Sequence, residues 1–202
     1  EFLKKFDPEL YADCVKNSGA TAATFFANTH TGLTNYPTKV GAMHPAWNGR
    51  DAFGETVDAL HRRGVNVVVY YCLVFVADYW NKHPECRVTN ALGEAHKLRI
   101  PVPGMPRRFA VCCFNDPDYR AFACEQIAEI CRGYDFEGVW PDMTFWPDVC
   151  FCENCRARYR RETGLEIPLV IGWTDPAFVR FVNARKRWLV EFAQEVTDLF
   201  KA

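Results

Sequence analysis

Two stretches of the sequence hold residue types that do chemistry. The first is DFEGVWPDMTFWPD, residues 135–148, where Asp142 follows the apolar run Gly138-Val139-Trp140. A carboxylate leaving a strand end into an aromatic surround can attack an anomeric carbon or balance an oxocarbenium-like charge. Trp140, Phe145 and Trp146 offer flat apolar faces of the kind that stack on sugar rings. The second stretch is Cys150-Phe151-Cys152-Glu153-Asn154-Cys155, a C-x-C-x-x-C motif. Three thiols this close can converge on one centre, and a structural Zn²⁺ site takes four tetrahedral ligands. The fourth thiol has to come from elsewhere, and Cys112 or Cys113 is the best offer. Free thiols or an internal disulfide are the alternatives. Four protein ligands leave a metal no open position, so its role would be structural.

Other residues are weighed beside these. His30 lies in a loop after an earlier strand, at a position analogous to that of Asp142, and imidazole can bond sugar hydroxyls or a carboxylate. Trp47 can close a pocket from the same loop. Tyr70 and Tyr71 end another strand, where alternation sends one inward and the other toward helices; Tyr71 is taken as the inward one. Arg107 and Arg108 are candidates for binding an acidic sugar. Asp78, Glu94, Asp116 and Asp148 are alternative carboxylates, with Asp116 better explained as a helix N-cap.

The elements that must position these groups alternate. Helices are expected over residues 8–17, 50–63, 117–132, 152–163 and 176–201, and strands over 20–26, 65–74 and 137–143. Val65 to Val74 is a continuous β-branched and aromatic run, the mark of a strand buried on both faces. Residues 28–48 and 75–114 read as irregular. Long connections follow strands and short ones follow helices, which gathers function at the carboxyl ends of the strands, as in a (β/α) barrel. No G-x-G-x-x-G follows the first strand, which counts against a nucleotide-binding sheet. The expectation is an α/β chain of the (β/α) TIM-barrel type, one domain over residues 1–202, with about half the strands of a barrel present.

Composition narrows the class. A formal net charge of −1, with basic residues in short groups such as Arg156 to Arg161, argues against nucleic acid. The most apolar run, Val65 to Ala77, is too short to span a bilayer. The amphipathic N-terminus lacks an apolar leader segment. A soluble, cytoplasmic protein is expected, with self-association into a homo-oligomer left open. The 10 cysteines suit neither a short secreted scaffold nor chance; Cys72, Cys124 and Cys131 read as reduced core thiols.

Three segments in order resemble a known family. ATFFANTHTGLTNYPTK, GVNVVVYYCLV and DFEGVWPDM are similar to the second, third and fourth strand segments of glycoside hydrolase family 29, the α-L-fucosidases. The chain is closer still to the hypothetical glycosyl hydrolase barrels related to that family. The resemblance covers roughly residues 6 to 145 and implies a nucleophile role for Asp142 and a sugar contact for His30. The chain departs from the family in having Thr29-His30 where a His-His pair is usual, and the general acid/base has no counterpart here. VCCFNDPDYR and CFCENCRARYR resemble the zinc segments of glycoside hydrolase family 42, the β-galactosidases, which implies Cys113, Cys150, Cys152 and Cys155 as ligands. That family's Asn-Glu pair is absent. The expected function is therefore a retaining glycoside hydrolase acting on a glycoside such as an α-L-fucoside or β-galactoside. The alternative is a carbohydrate-binding or scaffolding module with a structural zinc and no turnover. In the first case the carbohydrate would lie against His30, Trp47, Tyr71, Trp140 and Trp146.

Overall fold

Three Asp-Pro pairs start helices, and each does so by the same chemistry. In a computed structural model, which describes residues 3–95, 97–98, 109–146 and 148–201, Asp7 accepts from the Glu9 and Leu10 amides at 2.9 and 3.3 Å at the start of α1 (Pro8–Asn17). Asp116 accepts from the Tyr119 amide at 2.8 Å ahead of α4 (Pro117–Gly133). Asp175 accepts from the Ala177 amide at 2.8 Å ahead of α6 (Pro176–Lys201). Each carboxylate satisfies an amide that the first turn leaves unpaired, and the following proline brings no surplus N–H.

The element order is α1, β1 (Ala22–Phe26), β2 (Leu33–Thr34), β3 (Ala42–Met43), a short 3₁₀ turn at Pro45–Trp47, α2 (Ala52–His61), β4 (Asn66–Cys72), α3 (Ala77–Lys82), a second 3₁₀ turn at Pro84–Cys86, β5 (Lys97–Leu98), β6 (Phe109–Ala110), α4 (Pro117–Gly133), β7 (Gly138–Asp142), α5 (Glu153–Thr163) and α6 (Pro176–Lys201). All five expected helices and three expected strands form, with ends that agree to within two residues. The two stretches expected to be irregular carry short pieces instead: the parallel pair β2–β3 in one, and α3 with the antiparallel pair β5–β6 in the other.

The main sheet is parallel in the order β1-β4-β7, which is also chain order. Among the described residues it stays open. The barrel expectation is thus met only as a sequentially wound parallel segment, because three strands cannot curl far enough to meet. Register sets the rest. Phe26, Tyr70 and Trp140 lie side by side across the strands, and Cys72 lies beside Asp142. Residues in register share a face, so Phe26, Tyr70, Trp140 and Asp142 all point away from the helices.

The opposite face is the core. Val67 and Val69 of β4 pack with Phe53 and Leu60 of α2, all buried. Helix α6 buries Phe178, Phe181, Val182, Ala184, Trp188, Phe192 and Val196, a stripe at helical spacing. Cys124 and Cys131, expected in the core, are only half-buried, Cys131 lying against the last turn of α6. Among the described residues no helix is long and apolar enough to cross a membrane.

Candidate functional site

Asp142 is the last residue of β7, at the carboxyl edge of the sheet. Its Oδ2 accepts a 2.5 Å hydrogen bond from the Tyr70 hydroxyl. That hydroxyl lies 3.0 Å from His30 Nε2, which is itself 3.9 Å from Asp142 Oδ2. Burial pushes the Tyr70 phenol far above its ordinary value, and the bond to Asp142 adds to this, so the hydroxyl keeps its proton. A phenol has one proton to give, and it goes to the carboxylate. His30 must therefore donate from Nε2–H to the Tyr70 oxygen. The result is an ordered chain from His30 through Tyr70 to Asp142, assembled from the exits of three parallel strands.

Aromatic rings frame this chain. The Tyr70 ring lies 4.3 Å from Phe26 and 5.8 Å, edge-on, from Trp140. His30 stands edge-on to Phe75 at 5.5 Å, and Phe75 to Phe145 at 6.0 Å. Phe26, Trp140 and Phe145 remain 43%, 53% and 43% exposed, enough to meet a ligand.

The structure sets three of the expected residues apart from this chain of bonds. Tyr71 is the outward tyrosine: it is fully buried under α4 and donates to Gln126 Oε1 at 2.9 Å. Parity separates Tyr70 from Tyr71 but does not say which faces the site; pairing with Phe26 and Trp140 does. Trp47 is buried, with Nε1 donating to Asn35 Oδ1 at 2.9 Å. It lines a neighbouring groove of about 410 Å³ with Phe26, Thr29, Thr31 and His44, which Asp142 and His30 do not line. Trp146 points the other way, packed 4.2 Å from Phe114 and 6.2 Å from Trp188. Phe26 carries no signal in the sequence, and the choice of Tyr70 over Tyr71 is made by register. Arg107 and Arg108 lie outside the described residues.

The alternative carboxylates have other partners. Asp78 pairs with Lys82 at 2.7 Å, Glu94 accepts from Asn90 at 2.9 Å, and Asp116 caps α4 while accepting from Asn154 at 2.8 Å. Asp148 Oδ1 accepts from the Val149 amide at 2.7 Å.

The cysteines converge. The sulfurs of Cys113, Cys150, Cys152 and Cys155 all lie within 4.8 Å of one another, and all four residues are buried. Cys113 is 3.5 Å from Cys155 and 3.7 Å from Cys152. Zn–S bonds of about 2.3 Å imply sulfurs about 3.8 Å apart in a tetrahedron, so the set fits a tetrathiolate metal. Burial pushes the Cys113 and Cys155 thiols up, whereas thiol hydrogen bonds, first from Cys113, hold Cys150 down. Cys112 faces the opposite way, 3.5 Å from Cys86. Adjacent residues in extended backbone point to opposite sides, which makes Cys113 the fourth member.

The fold is shared with solved glycoside hydrolases. Alpha-L-fucosidase isoenzyme 2 from Paenibacillus thiaminolyticus superposes with a TM-score of 0.78 at 21% identity, covering 98% of this chain and 28% of that one. The glycoside hydrolase domain of PgaB (BpsB) from Bordetella bronchiseptica gives 0.67 at 17% identity, covering 96% and 54%. The Thermotoga maritima alpha-fucosidase in complex with fucose gives 0.50 at 21%, covering 90% and 34%. This chain thus spans roughly a quarter to a half of their lengths. Residues 7–143 match the family model described as hypothetical glycosyl hydrolase 6, and the chain belongs to that family. No curated protein sequence matches it.

Proposed function

We propose that the protein is a retaining glycoside hydrolase with Asp142 as its nucleophile. The observation that carries this reading is the ordered chain from His30 through Tyr70 to Asp142 at the strand exits of a glycoside hydrolase fold. An ionised carboxylate held by a phenol has its second oxygen available for an anomeric carbon, forming a glycosyl–enzyme ester that water then cleaves. Phe26, Trp140 and Phe145 would cover the apolar face of the sugar. The acid/base partner of a retaining pair stands about 5 Å from the nucleophile; Asp148 is the alternative carboxylate nearest in sequence. The fucosidase likeness favours an α-L-fucoside, with a β-galactoside second.

We also propose Zn²⁺ at the four-cysteine cluster, in the manner of the family 42 segments. With four sulfur ligands it would cross-link the segment ahead of α4 to the start of α5 and supply no chemistry to the sugar.

A binding module without turnover is the second reading. It is favoured by the partners already held by Asp78, Glu94 and Asp116. Hydrolysis of aryl fucosides, galactosides and arabinosides of both anomers, with Asp142→Asn alongside, decides between them. Loss of turnover by orders of magnitude in the variant supports the nucleophile. Equal turnover removes Asp142 from the mechanism. Sugar binding without turnover in either protein leaves the module.

A further inference from the structure

The arginines around the cysteine cluster do not behave as the solvated face that their spacing suggests. Arg160 and Arg161 point outward, Arg160 pairing with Glu166. Arg156 and Arg158 turn back. Arg156 donates to the Phe151 carbonyl at 2.8 Å, inside the cysteine loop. Arg158 donates to Asn115 Oδ1 at 2.9 Å, and Asn115 Nδ2 donates to Cys155 Sγ at 3.3 Å. That bond is aimed at a sulfur, and the guanidinium behind it polarises the amide that makes it.

A third arginine arrives from α6. Arg185 lies over the Trp146 ring at 4.9 Å and the Phe181 ring at 5.9 Å, and donates to the carbonyl of Asp148, two residues before Cys150. Its Nε is buried with no hydrogen-bond partner. Burial lowers its affinity for a proton, and the neighbouring Cys155 and Cys150 oppose that. A buried cation with an unused donor is costly unless a negative charge stands near it. The negative groups nearest it are the sulfurs of Cys155 and Cys150, followed by the Asp148 carboxylate and Cys113.

We propose that Arg185, by its charge, and Asn115, by its N–H···S bond, form the outer shell of a four-thiolate metal centre, which makes α6 part of the metal site. The inference rests on the metal reading above. A dication held by four thiolates leaves two negative charges in a buried place. Arg185 brings a guanidinium from α6 beside the loop carbonyls, while Arg158, itself paired with Glu162 and Glu191, orients the Asn115 amide that donates to Cys155 Sγ. Such outer partners commonly set metal affinity.

The test uses Co²⁺ as the probe, because tetrathiolate Co²⁺ shows sulfur-to-metal charge-transfer and d–d bands. Wild type, Arg185→Met, Arg185→Lys, Asn115→Ala and Arg160→Met are titrated with Co²⁺, and melting is followed with and without metal. Arg185→Met and Asn115→Ala should each weaken Co²⁺ binding by about 10- to 100-fold. Arg185→Lys should recover most of the loss, and Arg160→Met should match wild type. Metal-free Arg185→Met should melt no lower than wild type, because an uncompensated cation has gone; the loaded variant should melt lower. Unchanged Co²⁺ affinity in Arg185→Met, or lower melting in both states, overturns the proposal and reduces Arg185 to packing. A wild type without the thiolate bands overturns the metal reading itself, and this inference with it.

Discussion

Replacing Tyr70 by Phe removes one oxygen and both hydrogen bonds that make His30, Tyr70 and Asp142 a unit. The ring stays, held 4.3 Å from Phe26 and 5.8 Å from Trp140. What goes is the 2.5 Å donor to Asp142 and the 3.0 Å acceptor for His30. A hydrogen bond to a charged group contributes about 1.5–3 kcal/mol. If that bond orients the carboxylate for attack, the loss corresponds to about 10- to 150-fold in kcat/KM. Stability should change far less. The His30 and Asp142 side chains are 30% and 22% exposed, so water can replace the phenol at each. The assay is turnover of whichever aryl glycoside the wild type accepts, with denaturant unfolding run in parallel. A variant with wild-type kcat/KM would refute the idea that the phenol positions the carboxylate. A large loss of stability beside the loss of rate would show that the oxygen serves the fold instead.

Trp188→Ala should cost about 3–5 kcal/mol in denaturant unfolding, since the ring is fully buried between Trp146, Tyr159 and Phe181; a cost under about 1 kcal/mol would mean that the site collapses around the gap. Glu162 accepts from Trp188 Nε1 and from Arg158. Burial alone would raise its carboxyl, but Arg158 and Trp188 outweigh burial and hold it below the ordinary range. A depressed carboxyl stabilises the fold above its unfolded value of about 4.3 and loses that contribution as pH falls through the folded value. The melting gap between wild type and Glu162→Gln should therefore narrow as pH is taken from 7 to 3, and a constant gap would count against the pairing. Burial pushes the Cys72 thiol up to about 12 and the Cys124 thiol up to about 11. Native alkylation at pH 8 should reach exposed Cys14 first and leave Cys72 about a thousand-fold slower; mass mapping that finds Cys72 labelled early would show that β4 opens.

Much of the scaffold was legible in local chemistry. Asp7-Pro8, Asp116-Pro117 and Asp175-Pro176 mark helix starts because a short carboxylate caps the first amides whatever surrounds it. Gly164 ends α5 at φ +72°, a conformation that side chains resist and glycine does not. The β-branched run at 65–74 could hardly be anything but an inner strand. Asp142 at a strand exit and three clustered thiols also follow from local order, since both depend on spacing along one segment.

What needed tertiary structure was every choice between two sides. Alternation along β4 says that Tyr70 and Tyr71 differ, but only the pairing of Tyr70 with Phe26 and Trp140 says which meets Asp142. The same holds for Cys112 and Cys113, whose sides are set by the bridge between Arg87 and Cys112. Trp47 and Trp146 look like sugar platforms in sequence because exposure is not a local property; Asn35 and Phe114 bury them from elsewhere in the chain. The turn of Arg158 toward Asn115 and the arrival of Arg185 from α6 depend on helices packed together across 30 or more residues of sequence. Sequence determines which groups are available and how each element begins and ends; register and packing decide which of them meet, because contact energies are settled between elements and not within them.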